Sequence, residues 1–128
     1  MMKIYIDSNY PRPVLKILED VHNLQKQKKY EIERWEDNEI NENDLKDSIF
    51  LVVDFQKKGI SIPIIKQSEE GYKTIVCRVM DEKIDRFEFA MTVLRVWPHI
   101  IEKSDSKDKL FSFNYGGKKL RGVKIKNE

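Results

Sequence analysis

The sequence predicts an α/β fold in which a mainly parallel sheet carries helices on both faces, and three observations carry that prediction. A short alternating run, "KIYID" (Lys3–Asp7), leads directly into an amphipathic helical pattern. "SIFLVVDF" (Ser48–Phe55) is unbroken apolar from Ile49 to Val53, the mark of a central strand covered on both faces. Strand-like and helical runs then alternate along the chain, the order that builds parallel sheets.

Each element has its own signal. Ile4 and Ile6 are β-branched and alternate with polar neighbours, as a short strand requires. Pro11 and Pro13 pre-set the backbone φ of a first helical turn. Val14, Ile17, Leu18, Val21 and Leu24 follow at helical spacing, and Lys26, Lys28 and Lys29 close that helix against its dipole. "YEIERW" (Tyr30–Trp35) reads as a second strand. Glu36–Asp47 is a polar, acidic loop with room for one helical turn. After the central strand, "QKKG" makes a turn, a short helix covers Ile62–Glu70, and Gly71 stops it. "YKTIVCRV" (Tyr72–Val79) is another buried-type strand. A longer helix follows with Phe87, Ala90, Met91, Leu94 and Trp97 on one expected core face, and Pro98 is expected to kink or interrupt it. The tail "LFSFNYGGKKLRGVKI" places Gly116-Gly117 between two strand-like runs and reads as a small C-terminal hairpin or strand.

A chain of 128 residues is expected to form a single domain, 1–128, with a basic tail over 110–128. Its 24 basic and 22 acidic side chains leave +2, so net charge selects no partner. Charge is arranged locally instead: acids crowd between Glu31 and Asp54, and bases crowd the extreme C-terminus. The lone Cys77 cannot form an internal disulfide and is expected to be a core residue. No secretory signal pattern and no run of ~20 apolar residues is visible, so a soluble cytoplasmic protein with no membrane segment is expected. His22 and His99 are isolated and read as surface residues; no zinc spacing exists.

In open parallel sheets, ligands bind beyond the carboxyl ends of the strands. Asp7 ends the first strand and Asp54 the central one, so both belong to one rim, with the acidic loop beside them. Carboxylates ~4 Å apart repel by about 4 kcal/mol at an effective dielectric near 20. Such a cluster must protonate, pair with a cation or hold a hard divalent metal, and Mg²⁺ suits one or two carboxylates plus waters and phosphates. The plainer roles stay open. Asp7 would equally accept backbone N–H bonds at the start of the first helix, and Asp44 would equally cap a single helical turn.

"KIYIDSNYPRPVLKIL" resembles the start of PIN-like domains whose first strand reads D-x-N-x-P; Asp7, Asn9 and Pro11 match it. "FAMTVLRVWPHIIEK" (Phe89–Lys103) is similar to the closing helix of that branch, with Trp97, Pro98 and Ile100 as its Trp-Pro-x-Ile signature. "LFSFNYGGKKL" resembles the tail that follows. The resemblance implies a three-layer α/β/α sandwich, Rossmann-like in its sheet, and a ribonuclease dependent on Mg²⁺ or Mn²⁺. Many such relatives are the toxin of a toxin–antitoxin pair. It implies metal ligation by Asp7, Asp44 and Asp54, with Glu39 or Glu42 as alternates to Asp44, and a phosphate- or water-positioning role for Asn9. Two positions depart from the pattern: Gln56 and Lys57 stand where relatives carry another Asp, and the interval from Asp44 to Asp54 is short.

The basic tail adds Lys118, Lys119, Arg121, Lys124 and Lys126, with Phe113 and Tyr115 nearby, as a candidate RNA-binding strip. Its plainer reading is a solvated hairpin whose lysines block edge pairing. Three functional expectations result. The first is a metal-dependent endoribonuclease with RNA as substrate and an antitoxin or a second copy of the chain as candidate partners. The second is a non-catalytic PIN-like module that binds RNA or protein. The third is a receiver-like domain with Asp54 as phospho-acceptor, which lacks the early paired acids and the later strand-end Lys.

Overall fold

The computed structural model describes residues 2–25, 30–35, 48–80 and 83–124. Strand β1 (Met2–Asp7) leads to helix α1 (Arg12–Asn23), then β2 (Tyr30–Trp35), β3 (Ser48–Asp54), α2 (Ile62–Glu69), β4 (Lys73–Arg78), α3 (Arg86–Glu102), β5 (Leu110–Asn114) and β6 (Arg121–Gly122). The result is an α/β fold with one mostly parallel six-stranded sheet and three helices. The element order follows the sequence signals closely. The expected helical turn and acidic loop at Glu36–Asp47, and Lys26, Lys28, Lys29 and Lys126, lie outside the described residues.

The strand order is β2-β1-β3-β4-β5-β6. The first five strands are parallel, and β6 runs antiparallel to β5. An order of 2-1-3-4-5 is one of the two common doubly wound arrangements, and it reverses direction between β1 and β3. β3 is buried along its whole length, which is why its sequence could abandon polar alternation. The C-terminal turn depends on glycine. Gly117 N–H bonds Asn114 O at 2.8 Å while Gly116 takes φ 77, the left-handed conformation that type II turns reserve for their third residue. A Cβ on Gly117 would meet Asn114 O at 2.9 Å.

Side-chain alternation sorts the core into two clusters. Ile4, Ile6, Leu51, Val53, Ile75, Cys77, Phe111 and Phe113 pack with Val14, Leu15 and Leu18 of α1 and with Phe89, Val93, Val96 and Ile100 of α3. Val52, Val76 and Leu110 meet Ile64 and Ile65 of α2 in the other. Tyr5 and Phe50 stack at 5.1 Å, with Trp35 and Tyr72 edge-on to Phe50.

The helices bury a stripe different from the expected one. In α1 the buried residues are Val14, Leu15, Leu18 and His22, whereas Leu24 is 82% exposed. His22 is therefore no surface histidine; its ring lies 4.6 Å from that of Tyr30. In α3, Phe87 is 71% exposed and Met91 is also exposed, while Phe89, Val93, Val96 and Ile100 face inward beside Ala90 and Trp97. Pro98 is exposed within α3, and the helix continues through it to Glu102. Asp85 caps the start of α3, accepting from Phe87 N at 2.8 Å and Glu88 N at 3.3 Å.

Candidate functional site

The carboxyl rim is built from strand ends. Register pairs Asp7 with Trp35, Asp54 with Arg78, and Arg78 with Asn114. Ile6 pairs with Leu51, so extending that register puts Asp7 and Asp54 on the same face, Asp54 one pleat further out. One strand spacing and two residues of rise separate their backbone positions by roughly 8 Å. This pair flanks the point where the strand order reverses, the place doubly wound sheets use for ligands.

Asp7 is half-buried, and its carboxylate orders the turn that follows. Asn9 Nδ2 donates to Oδ2 at 3.2 Å, while Asn9 N and Ser8 Oγ reach Oδ1 at 3.4 Å. These bonds are long, and the group remains open to solvent. Asp7 does not cap α1, whose first turn has no side-chain cap and begins on Pro11. Below the turn, Tyr10 is buried and its Oη has no hydrogen-bond partner among the described residues. Burial pushes the Tyr10 phenol well above its ordinary value, with the Cys77 and Asp7 charges adding to that. Cys77 is fully buried, and desolvation pushes its thiol up to about 12, which leaves no nucleophile there at neutral pH.

Asp54 is in a different state. It is buried, and both carboxylate oxygens are engaged: Oδ1 accepts from Gln56 N at 3.0 Å and Oδ2 from Ser61 N at 2.9 Å. Ser61 is the residue at which α2 begins. The carboxylate thus closes the loop between β3 and α2. Arg78, which sequence reading passed over, clamps the same loop, donating from Nη2 to Gly59 O at 3.0 Å. Only its place at the end of "TIVCR" could have marked it.

A hard cation suits oxygen donors, and the half-exposed Asp7 carboxylate supplies them, while the Asn9 amide turns its N–H toward Asp7. Asp54 offers only lone pairs left over from its two amide bonds. No group of three His, Cys, Asp or Glu among the described residues comes together to hold a metal ion. Asp44, Glu39 and Glu42 lie outside the described residues. Of the two rim carboxylates, Asp7 is thus the solvent-facing one and Asp54 the engaged one.

The basic residues occupy another part of the sheet. Lys118, Lys119, Arg121 and Lys124 are exposed around β6, at the edge beyond β5. Three strand spacings separate β5 from β1, about 14 Å. Lys73, also missed by sequence reading, is buried and donates from Nζ to Lys103 O, Ser104 O and Ser106 O at 2.9, 2.7 and 2.7 Å, fixing the end of α3. No helix among the described residues is long and apolar enough to cross a membrane. Comparison with protein-family models, with curated proteins and with solved structures gives no match in any of the three.

Proposed function

We propose that the chain is a PIN-like, three-layer α/β/α domain acting as a metal-dependent endoribonuclease, with its reaction centre at the β1–β3 end of the carboxyl rim. The observation that supports this reading is the half-exposed Asp7 carboxylate, with Asn9 beside it, at the reversal of strand order. Asp7 would hold Mg²⁺ or Mn²⁺, Asp44 would add to the ligand set by the resemblance, and Asn9 would position a phosphate or water beside the ion. A bound divalent ion would supply charge neutralisation at the phosphodiester and a more acidic water. Asp54 acts indirectly, by tying the loop from Phe55 to Ile60 between β3 and α2 through its two backbone N–H bonds. The basic edge around β6 would retain the RNA strand, and an antitoxin or a second copy of the chain are the partners this reading admits. The purified chain is expected to cut single-stranded RNA in Mn²⁺, and Asp7→Asn to abolish the cutting while leaving the fold intact. Cleavage retained by that variant would overturn the proposal.

A second reading is favoured by the engagement of both Asp54 oxygens: a non-catalytic PIN-like module that binds RNA or protein. It predicts no Mn²⁺ binding by calorimetry at millimolar metal, with RNA binding intact. The receiver-like reading loses its support at the same residue. A phospho-acceptor needs a free, solvent-facing carboxylate oxygen, and Asp54 is buried with both oxygens bonded.

A further inference from the structure

Two hollows lie end to end along the last two strands. Leu110, Ser112 and Asn114 share one face of β5 by alternation, the face that carries α2. The larger hollow, about 650 Å³, opens at the Leu110 end between β5 and the end of α2, and Lys107, Lys109 and Lys124 line it. The smaller, about 430 Å³, opens at the Asn114 end, lined by Lys118, Lys119 and Arg121. Arg121 pairs with Ser112 across the β5–β6 ladder, and Gly122 and Val123 continue into the larger hollow. The two are therefore neighbours along the same edge of the sheet. Leu110 to Asn114 spans about 13 Å of extended strand, which sets the distance between the two cation groups.

Six cations meet two acids, Glu69 and Asp108, along this edge. None of the six forms an ion pair with a described residue. Unpaired positive charge held along a line is complementary to a polyanion, whose condensed counterions it releases on binding. No aromatic side chain lines either hollow, so there is no platform on which bases would stack. α2 borders the larger hollow alone, and Lys118, Lys119 and Arg121 at the other end also line a small hollow beside His99 of α3, so the cations follow the β6 edge of the sheet.

We infer that the β6 edge of the sheet is a binding track for single-stranded RNA, gripping the phosphates with Lys107, Lys109 and Lys124 in the hollow beside α2 at one end and with Lys118, Lys119 and Arg121 at the other. The inference deepens the proposed ribonuclease by separating where the strand is held from where it is cut. Base identity goes unread along the track, so binding is independent of sequence.

The test is fluorescence anisotropy of a labelled 20-nucleotide oligouridine, titrated with the full chain at several salt concentrations without divalent metal. Engagement of all six cations gives a slope of log K against log[salt] near −4, at about −0.7 per phosphate contact on a single strand. Lys118→Gln with Lys119→Gln should shallow that slope by about 1.4, and Lys107→Gln with Lys109→Gln should do the same. Lys16→Gln with Arg86→Gln removes equal charge from exposed positions on α1 and α3 and should leave the slope unchanged. Equal slopes for all three double variants would overturn the track, as would a soluble polyglutamate competing as well as unlabelled oligouridine, since the edge would then be a protein-docking surface. The track and the nuclease fail separately. Tight, salt-dependent binding with no cutting in Mn²⁺ defeats only the nuclease, whereas cutting that the track variants leave undiminished, with unchanged slopes, defeats only the track.

Discussion

The Asp54 carboxylate accepts the Ser61 amide at 2.9 Å, joining the end of β3 to the start of α2 across the intervening loop. Its other oxygen takes Gln56 N at 3.0 Å, so the group serves as a two-point anchor in a buried position. Leaving a buried N–H without a partner costs about 1–3 kcal/mol. Asp54→Asn keeps one acceptor but turns an amide donor toward a backbone N–H, and it should destabilise the chain by about 2 kcal/mol in urea unfolding. Asp7→Asn, whose bonds are long and exposed, should cost less than about 0.5 kcal/mol. Equal stability losses at the two positions would contradict the difference in their roles.

That difference marks the limit of what the sequence made legible. The position of Asp54 at the end of an apolar run placed it on the carboxyl rim, because strand direction and connectivity are local properties. Whether its oxygens face a ligand or the amides of a following loop depends on the path of residues 55–61, which carries no periodic signal. The helices teach the same lesson. In α3, the set Phe87, Met91 and Leu94 and the set Phe89, Val93, Val96 and Ile100 both have helical spacing, and periodicity alone cannot choose between them. Packing against the sheet chose the second, leaving Phe87 and Met91 in solvent. Strand β3 was read correctly because burial on both faces leaves nothing to choose. Lys73 was invisible, since its acceptors lie some thirty residues onward at Lys103, Ser104 and Ser106.

Lys73 should carry an unusual share of stability for a lysine. Its ammonium satisfies three backbone carbonyls just past α3, a region where the helix dipole also favours positive charge. Hydrogen bonds to charged groups contribute about 1.5–3 kcal/mol each, offset here by desolvation of the ammonium. Lys73→Met should lower the unfolding free energy by about 2 kcal/mol, read from the urea midpoint. Burial holds the Lys73 pKa below its ordinary value; the Lys109 charge adds to that and Asp105 opposes it. The folded chain therefore releases this proton before the unfolded chain does. Between the lowered value and the ordinary 10.5, stability from this group rises with pH, so the gap between wild type and Lys73→Met should widen there. A gap that narrows would reverse the sign of the shift.

Cys77 predicts the opposite slope. Its thiol holds a proton up to about 12 when folded, against an ordinary 9.0, so the folded chain binds more protons across that window. Stability is therefore lost as pH climbs from about 9 toward 12, and Cys77→Ala should flatten the alkaline loss while costing cavity energy at neutral pH. Thiol reagents should not label the native chain at pH 8 and should label it fully in urea. Fast native labelling would mean that the β4 core opens locally.

Tyr30 and Trp97 tie the outer strand β2 to helix α3. Trp97 Nε1 donates to Tyr30 Oη at 2.7 Å, buried on both sides, and Gln25 Nε2 adds a weaker donation at 3.3 Å. The rings lie 6.1 Å apart at a tilt of 55°, within the range where aromatic pairs attract beyond their buried area. Tyr30→Phe keeps the ring and its contacts but orphans the indole N–H, whose desolvation then goes uncompensated. That single atom should cost about 1–3 kcal/mol. A partner of equal burial makes the comparison sharp: Tyr10 Oη bonds to nothing among the described residues, so Tyr10→Phe should be neutral or stabilising by up to about 1 kcal/mol. Urea unfolding of the two variants side by side tests both at once. A Tyr10→Phe loss as large as the Tyr30→Phe loss would show that the Tyr10 hydroxyl has a partner after all, and the turn below Asp7 would then be the place to find it.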